Sequence, residues 1–147
     1  MSTYSADRIM MSVGGVPVTG LAKGTFVKVE YNEDTWKLEV GSDGHWMRVY
    51  NANRSGKVTL TVMQDSPLNT TLSTYERLDR ATRNSQIPFN LVDPEGGTNI
   101  VAAKAWVTKM PAIEFSGEAT NREWVLESGN LDEFLSASGV PYEAPLP

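Results

Sequence analysis

Three stretches of this chain alternate apolar and polar residues one by one, and that period constrains the fold more than any other feature. Between Phe26 and Tyr31, the residues Val27, Val29 and Tyr31 share one face and Lys28 and Glu30 the other. Between Thr35 and Val40, Trp36, Leu38 and Val40 are expected to point inward and Lys37 and Glu39 outward. Between Lys57 and Met63, Val58, Leu60 and Val62 are expected inside, with Lys57, Thr59 and Thr61 outside. Successive side chains of a strand point to opposite faces, so a period of two marks half-buried antiparallel strands.

Shorter signals fill in the rest. Arg8 to Val13 is an apolar run ending at Gly14-Gly15, a dipeptide suited to a tight hairpin because both positions tolerate positive φ. The return segment, Val16 to Thr19, contains Pro17, which cannot donate to a ladder and so belongs on an edge or a loop margin. Asn32-Glu33-Asp34 reads as a turn, residues 43–56 as a long polar loop, and Pro88-Phe89 as a connection leading to the turn Asp93-Pro94-Glu95-Gly96-Gly97. Ile100 to Met110 and Arg122 to Glu127 read as strands, the second with Trp124 and Leu126 inward.

One helix interrupts. Asp65 or Ser66 can cap its N-terminus, and Pro67 fits the first helical position, where a missing N–H costs nothing. Leu68, Leu72, Tyr75 and Leu78 then form an apolar stripe at helical spacing, and the polar run Arg80 to Ser85 ends it. The small residues Ala102, Ala103 and Ala105 allow close approach, which places the helix over that part of the sheet. The expected fold is a mainly antiparallel β-sandwich or small barrel with one flanking helix. It forms a single domain over 1–147, with extended tails at about 1–7 and about 138–147.

Composition removes several kinds of chemistry. At 147 residues the chain can bury a real core. It has no cysteine, so thiolate catalysis, disulfides and cysteine zinc sites are out, and its single histidine, His45, cannot make a histidine-only zinc site within one chain. A formal net charge of -5 with scattered acids argues against a surface built to grip nucleic-acid phosphates. The first residues lack the basic-then-apolar pattern of a signal peptide, and no apolar run approaches the roughly 20 residues that span a bilayer. A soluble product made in a cytoplasm is expected, with no membrane anchor.

The remaining candidates each have an ordinary structural reading. His45, in Asp43-Gly44-His45-Trp46, would need an acid and a nucleophile brought to it in space, and it reads as an exposed loop residue. Asp93, Glu95 and Asn99 lack the spacing of a calcium loop. Glu114, Glu118, Glu123 and Glu127 carry no mark of a paired acid and base. No phosphate-binding glycine loop is present. The triplets Asn53-Arg54-Ser55 and Asn69-Thr70-Thr71 match the glycosylation pattern by chance. Trp36, Trp106 and Trp124 lie in strand patterns and read as core, whereas Trp46 sits beside a loop, where tryptophan often anchors a contact. No cofactor is implied.

Taken in order, these landmarks resemble a known family. Gly20-Leu21-Ala22-Lys23-Gly24 precedes the first core strand. Asp43-Gly44, Arg48 and the stretch Asn51 to Gly56 follow. Lys57 to Met63 runs into Gln64-Asp65-Ser66-Pro67 with Asn69 and Leu72, and Ala105-Trp106 and Glu123-Trp124 come later. The succession is similar to that of the tail-tube proteins of contractile-tailed bacteriophages, a fold shared with secretion-system and tailocin tubes. The resemblance implies a barrel-like subunit with a helix on its flank, hexameric rings, and a stack of rings forming a hollow tube. It implies a structural protein rather than an enzyme. Its partners would be further copies of itself, the tail sheath, baseplate and tail-terminator proteins, and a tape-measure protein in the lumen. DNA would pass through without specific binding. The location would be the virion tail, assembled in the host bacterial cytoplasm.

Elementary physics points the same way. Free strand edges invite head-to-tail pairing, and a rotationally closed set makes a ring. Residues 41–56 suit an arm to the adjacent ring, with Asp43, His45, Trp46, Arg48, Tyr50, Asn51, Asn53 and Arg54 as contact candidates; Arg48 and Arg54 would pair with acids there. Asp65, Ser66 and Pro67 form the helix-cap joint. Acids lining the bore would repel passing DNA. The competing readings are a carbohydrate-binding β-sandwich with Trp46 and Tyr50 as its platform, and a small hydrolase using His45.

Overall fold

A computed structural model describes residues 5–94 and 96–135. Its strands are β1 (Met10–Val13), β2 (Val16–Pro17), β3 (Val27–Tyr31), β4 (Trp36–Val40), β5 (Trp46–Tyr50), β6 (Gly56–Met63), β7 (Ile87–Val92), β8 (Asn99–Lys109), β9 (Asn121–Ser128) and β10 (Leu131–Phe134). The helix α1 spans Pro67–Thr82. The main sheet runs in the order β2-β1-β7-β8-β9-β6-β3, with β10 also paired to β8. β4 and β5 pair only with each other.

β8 is the spine of the sheet. Its first half pairs with β7 along one edge, from Asn99 to Ala105. Along the other edge Ala105 faces Ser128 of β9 and Ala102 faces Leu131 of β10. β9 and β10 therefore act as one long antiparallel partner, broken where the chain bends at Gly129-Asn130. The alternation in β6 is as expected, with Val58, Leu60 and Val62 buried and Lys57, Thr59 and Thr61 half-exposed. Trp124 and Leu126 of β9 are buried beside them.

The helix closes this face. Leu68 and Leu72 share one buried cluster with Leu60, Phe89, Ala102 and Trp124. α1 packs against β8, where Ala102 and Ala105 are buried, as the small residues required. The cap is Ser66 rather than exposed Asp65: its Oγ accepts from Leu68 N at 3.2 Å and donates to the Thr19 carbonyl. Pro67 occupies the first turn, and Arg83 closes the helix in the left-handed region. Asn69 ties three elements together. Its Oδ1 accepts from Trp124 Nε1 at 2.8 Å, and its Nδ2 donates to the carbonyls of Met63 and Gln64 at 3.1 Å each. Ser66→Ala removes a cap and leaves the Thr19 carbonyl without its hydroxyl donor. Its expected cost is about 1–2 kcal/mol, read as a lower midpoint in urea unfolding.

Several expectations are corrected. Trp36, Leu38 and Val40 do not point into a core: β4 lies off the main sheet and all of its residues are exposed. Trp106 is half-buried, so of the tryptophans only Trp124 is a full core residue. Residues 43–56 are not one long loop, because Trp46–Tyr50 is strand β5. Pro88-Phe89 is no connection but part of β7, whose Ile87, Phe89 and Leu91 are buried. Pro88 is accommodated where the register with β8 shifts. Leu78 is exposed. Tyr75, one turn earlier, already lies against Gly14 at the sheet margin, so Leu78 projects beyond it. Ala6–Arg8 is a 3-10 turn rather than extended tail. The C-terminal tail at about 138–147 lies outside the described residues.

Candidate functional site

The hairpin of β4 and β5 stands apart from the main sheet, with every residue of both strands exposed among the described residues. Its turn is built locally. Gly41 N–H donates to the His45 carbonyl at 2.7 Å, and Asp43 Oδ1 accepts from His45 N–H at 3.0 Å. Gly44 takes φ +87°, which a side chain resists. His45 is thus a turn residue whose backbone, not its ring, is engaged. Among the described residues no group of histidines and carboxylates could hold a metal ion.

Register divides the hairpin into two faces. Trp36 pairs with Tyr50, Leu38 with Arg48 and Val40 with Trp46, so these six side chains share one face. Trp46 and Leu38 are each 64% exposed and Trp36 47%. The Trp36 and Tyr50 rings lie 5.2 Å apart at 59°, and the Arg48 guanidinium sits 4.0 Å over the Trp36 ring. The other face carries Lys37, Glu39, Met47 and Val49, with a solvated Lys37–Glu39 pair at 3.7 Å. One face is therefore aromatic and aliphatic with a single charge. Large exposed apolar faces generally mark sites of interaction. Trp46 and Tyr50 stand four residues apart, roughly 13 Å along the strand, with Arg48 between them, so they form no continuous stacking platform.

The stem is held by polar residues. Glu33 Oε2 accepts from Asn51 Nδ2 at 2.8 Å and Asn53 Nδ2 at 3.0 Å. These two amide donors hold its carboxyl below the usual range, Asn51 contributing more. Asn51 N–H donates to the Thr35 carbonyl at 2.8 Å. Arg54 donates to Thr35 Oγ1 at 3.1 Å and lies 4.4 Å over the Tyr31 ring. Tyr31 Oη donates to the Leu131 carbonyl at 2.9 Å and accepts from Glu133 N–H at 3.1 Å. Gly56 sits at the crossing of these elements, where a Cβ would strike Leu131 and come 2.9 Å from the Glu30 carbonyl. The structure thus sorts the eight arm candidates. Asp43, His45, Trp46, Arg48 and Tyr50 lie on the projecting hairpin, while Asn51, Asn53 and Arg54 clasp its base.

A family model described as the bacteriophage PhiTE tail tube protein matches residues 1–136. The chain belongs to this family of phage tail tube proteins. It is 27% identical over 137 residues to "Structural protein ORF10" of Pseudomonas phage KPP10, covering 88% of this chain and 79% of that one. Among solved structures it is similar to a chain of the PVC sheath-tube complex of an extracellular contractile injection system. The TM-score is 0.59 at 16% identity, over 90% of this chain and 92% of the other. The sheath/tube terminator of the same kind of system gives a TM-score of 0.58 at 16% identity, over 91% and 98%. At these identities the likeness is one of fold. The mainly antiparallel architecture with one helix is the tail-tube fold.

Three parts of this tail-tube subunit were not read as elements of the site from sequence: Glu33, Tyr31 and strand β10. Glu33 had the signal of a turn acid, and its partners at Asn51 and Asn53 lie across the hairpin. Burial pushes the Glu133 carboxyl up, and the charge of Arg54 partly offsets this. A carboxyl raised on folding holds its proton more tightly in the folded state. Its stabilising contribution is complete below the ordinary carboxylate range and is lost as pH rises through the raised value. Glu133→Gln is therefore expected to melt above the parent at about pH 7, with the difference closing below about pH 4. Thermal unfolding at both pH values checks the sign.

Proposed function

We propose that the subunit builds the hollow inner tube of a contractile tail, as hexameric rings stacked along an axis, and that the tube conducts the genome during ejection. The observation that carries this reading is the hairpin: a preformed two-stranded arm with one apolar face that nothing in the described chain covers. Membership of the tail tube family supplies the context, and the solved neighbours come from assemblies described as sheath-tube and terminator complexes. The main sheet ends in two unlike edges, β2 and β3. Unlike edges suit heterologous contacts around a ring, and closure of that ring removes them. The hairpin leaves the sheet at one end of β6, which suits contact along the axis.

Arg48 stands on the exposed face and is positioned to meet acids of the next ring. Arg54 contributes from the stem, where it fixes the angle of the arm. In this reading the outer surface receives a tail sheath, the tube ends meet baseplate and terminator proteins, and a tape-measure protein occupies the lumen before DNA. Acids facing the bore keep DNA from adhering. Negative-stain microscopy of the concentrated full-length protein is expected to show rings or tubes with a central channel. Monodisperse solitary subunits at high concentration, with or without added seed tubes, contradict the proposal.

A further inference from the structure

Two apolar surfaces of the subunit stand at opposite ends of one strand. The hairpin departs where β3 ends at Tyr31 and β6 begins at Gly56. β6 then runs to Met63, roughly 23 Å away at the rise of a strand. At that far end Met63 faces Asn121, the first residue of β9, and residues 110–120 loop from β8 into it. In this loop Ile113 is 69% exposed and Phe115 79%. Beside it lies a groove of about 580 Å³, lined among the described residues by Leu21, Lys23, Met63, Asp65, Ala119 and Thr120. The loop is fixed rather than slack. Gln64 Oε1 accepts from Thr120 N–H at 3.2 Å, Thr120 Oγ1 donates to the Glu114 carbonyl at 2.8 Å, and Arg122 lies 5.4 Å from the Phe115 ring.

We infer that this groove and the 110–120 loop receive the aromatic face of the hairpin from a second copy of the chain, set head to tail beyond it. The inference rests on the tube reading and deepens it by naming the surface that accepts the arm. Charge complementarity favours this occupant. The only charge on the hairpin's aromatic face is Arg48, and the accepting surface carries the acids Glu114, Glu118 and Asp65 against the bases Lys23 and Arg122, with both loop charges acidic. Area favours it as well. Trp36, Leu38, Val40, Trp46 and Tyr50 offer on the order of 600 Å² of apolar surface, most of the about 800 Å² each partner gives in a standard interface. Geometry decides between a second copy met end to end and one met hairpin to hairpin. Unlike patches at opposite ends propagate along an axis, whereas a hairpin docking on another hairpin closes at a dimer.

The chain has no cysteine, so introduced thiols report contacts against no background. Ser42→Cys marks the hairpin turn and Ser116→Cys the accepting loop. Assembled full-length protein carrying both changes, treated with a short bis-maleimide, is expected to give a ladder of covalent oligomers beyond the dimer on a denaturing gel, and neither single variant to do so. Tubes that form without a ladder in the double variant overturn the assignment of the groove and leave stacking intact. Dimers from Ser42→Cys alone overturn it in favour of hairpin meeting hairpin. Failure of the parent protein to form tubes at all sinks the tube reading and this inference with it. Phe115→Asp provides the second check. Loss of tubes with an unchanged melting temperature is expected, and tubes of normal length and yield overturn the role of the loop.

Discussion

Leu38→Asp combined with Trp46→Asp on the hairpin is expected to abolish tube formation while the subunit itself stays folded. Both side chains are exposed and belong to a two-stranded element apart from the main sheet. Exposed substitutions away from packed features stay within about 0.5 kcal/mol, so melting moves by only a few degrees. At an interface the result reverses. The carboxylate at position 46 would be buried opposite apolar surface without a partner, at a cost of about 2–5 kcal/mol per contact, and the one at position 38 would face Arg48 across the strand pair and draw it away from the neighbouring copy. In a stacked ring that cost is repeated at every subunit, so assembly fails outright rather than weakening. Sedimentation and circular dichroism on the same sample separate the two effects. Tubes persisting in this variant, or a subunit that unfolds, would show that the hairpin is not a free docking arm.

The second large effect lies in the core. Trp124→Ala is expected to cost about 3–5 kcal/mol, a large share of the roughly 5–15 kcal/mol that holds a domain of this size together. Trp124 is 1% exposed, packs with Leu60 and Leu72, and donates its Nε1–H to Asn69. Its removal leaves a cavity under the helix and orphans Asn69 Oδ1, the atom that links α1 to β9. Trp124→Phe retains most of the volume and loses only the hydrogen bond, so its expected cost falls to about 1–3 kcal/mol. Equilibrium unfolding in denaturant ranks parent, Phe and Ala in that order. Equal losses for Phe and Ala would assign the effect to the hydrogen bond rather than to packing.

Much of this fold is written in local pattern, and the exceptions have physical causes. β6 is plain because its two faces meet two environments, core and solvent, and alternation reports that contrast. Ser66 and Pro67 are plain because a cap and a first-turn proline act within one helical turn. β4 shows what alternation does not say. Trp36, Leu38 and Val40 reveal that one face is built for burial, but not whether the same chain buries it. β5 escaped because Arg48 stands on the aromatic face and breaks the alternation, with Gly44 just before it suggesting a loop. β7 was masked by Pro88, which the sheet accepts at a register shift. β10 is four residues long, at the lower limit for any periodic signal. The stem clasp was invisible for another reason: Glu33 meets Asn51 and Asn53 only once the hairpin has folded back, and Arg54 comes near Glu133 only once β10 has docked.

The most direct test of the account is a cryo-electron microscopy reconstruction of the particle formed by the full-length protein. The expected map shows rings of six subunits stacked around an open channel, with the Trp36, Trp46 and Tyr50 face of each hairpin buried against a subunit of the neighbouring ring. A map in which that face remains in solvent, or in which the subunits do not stack, contradicts the claim that this chain works through repeated contact with copies of itself.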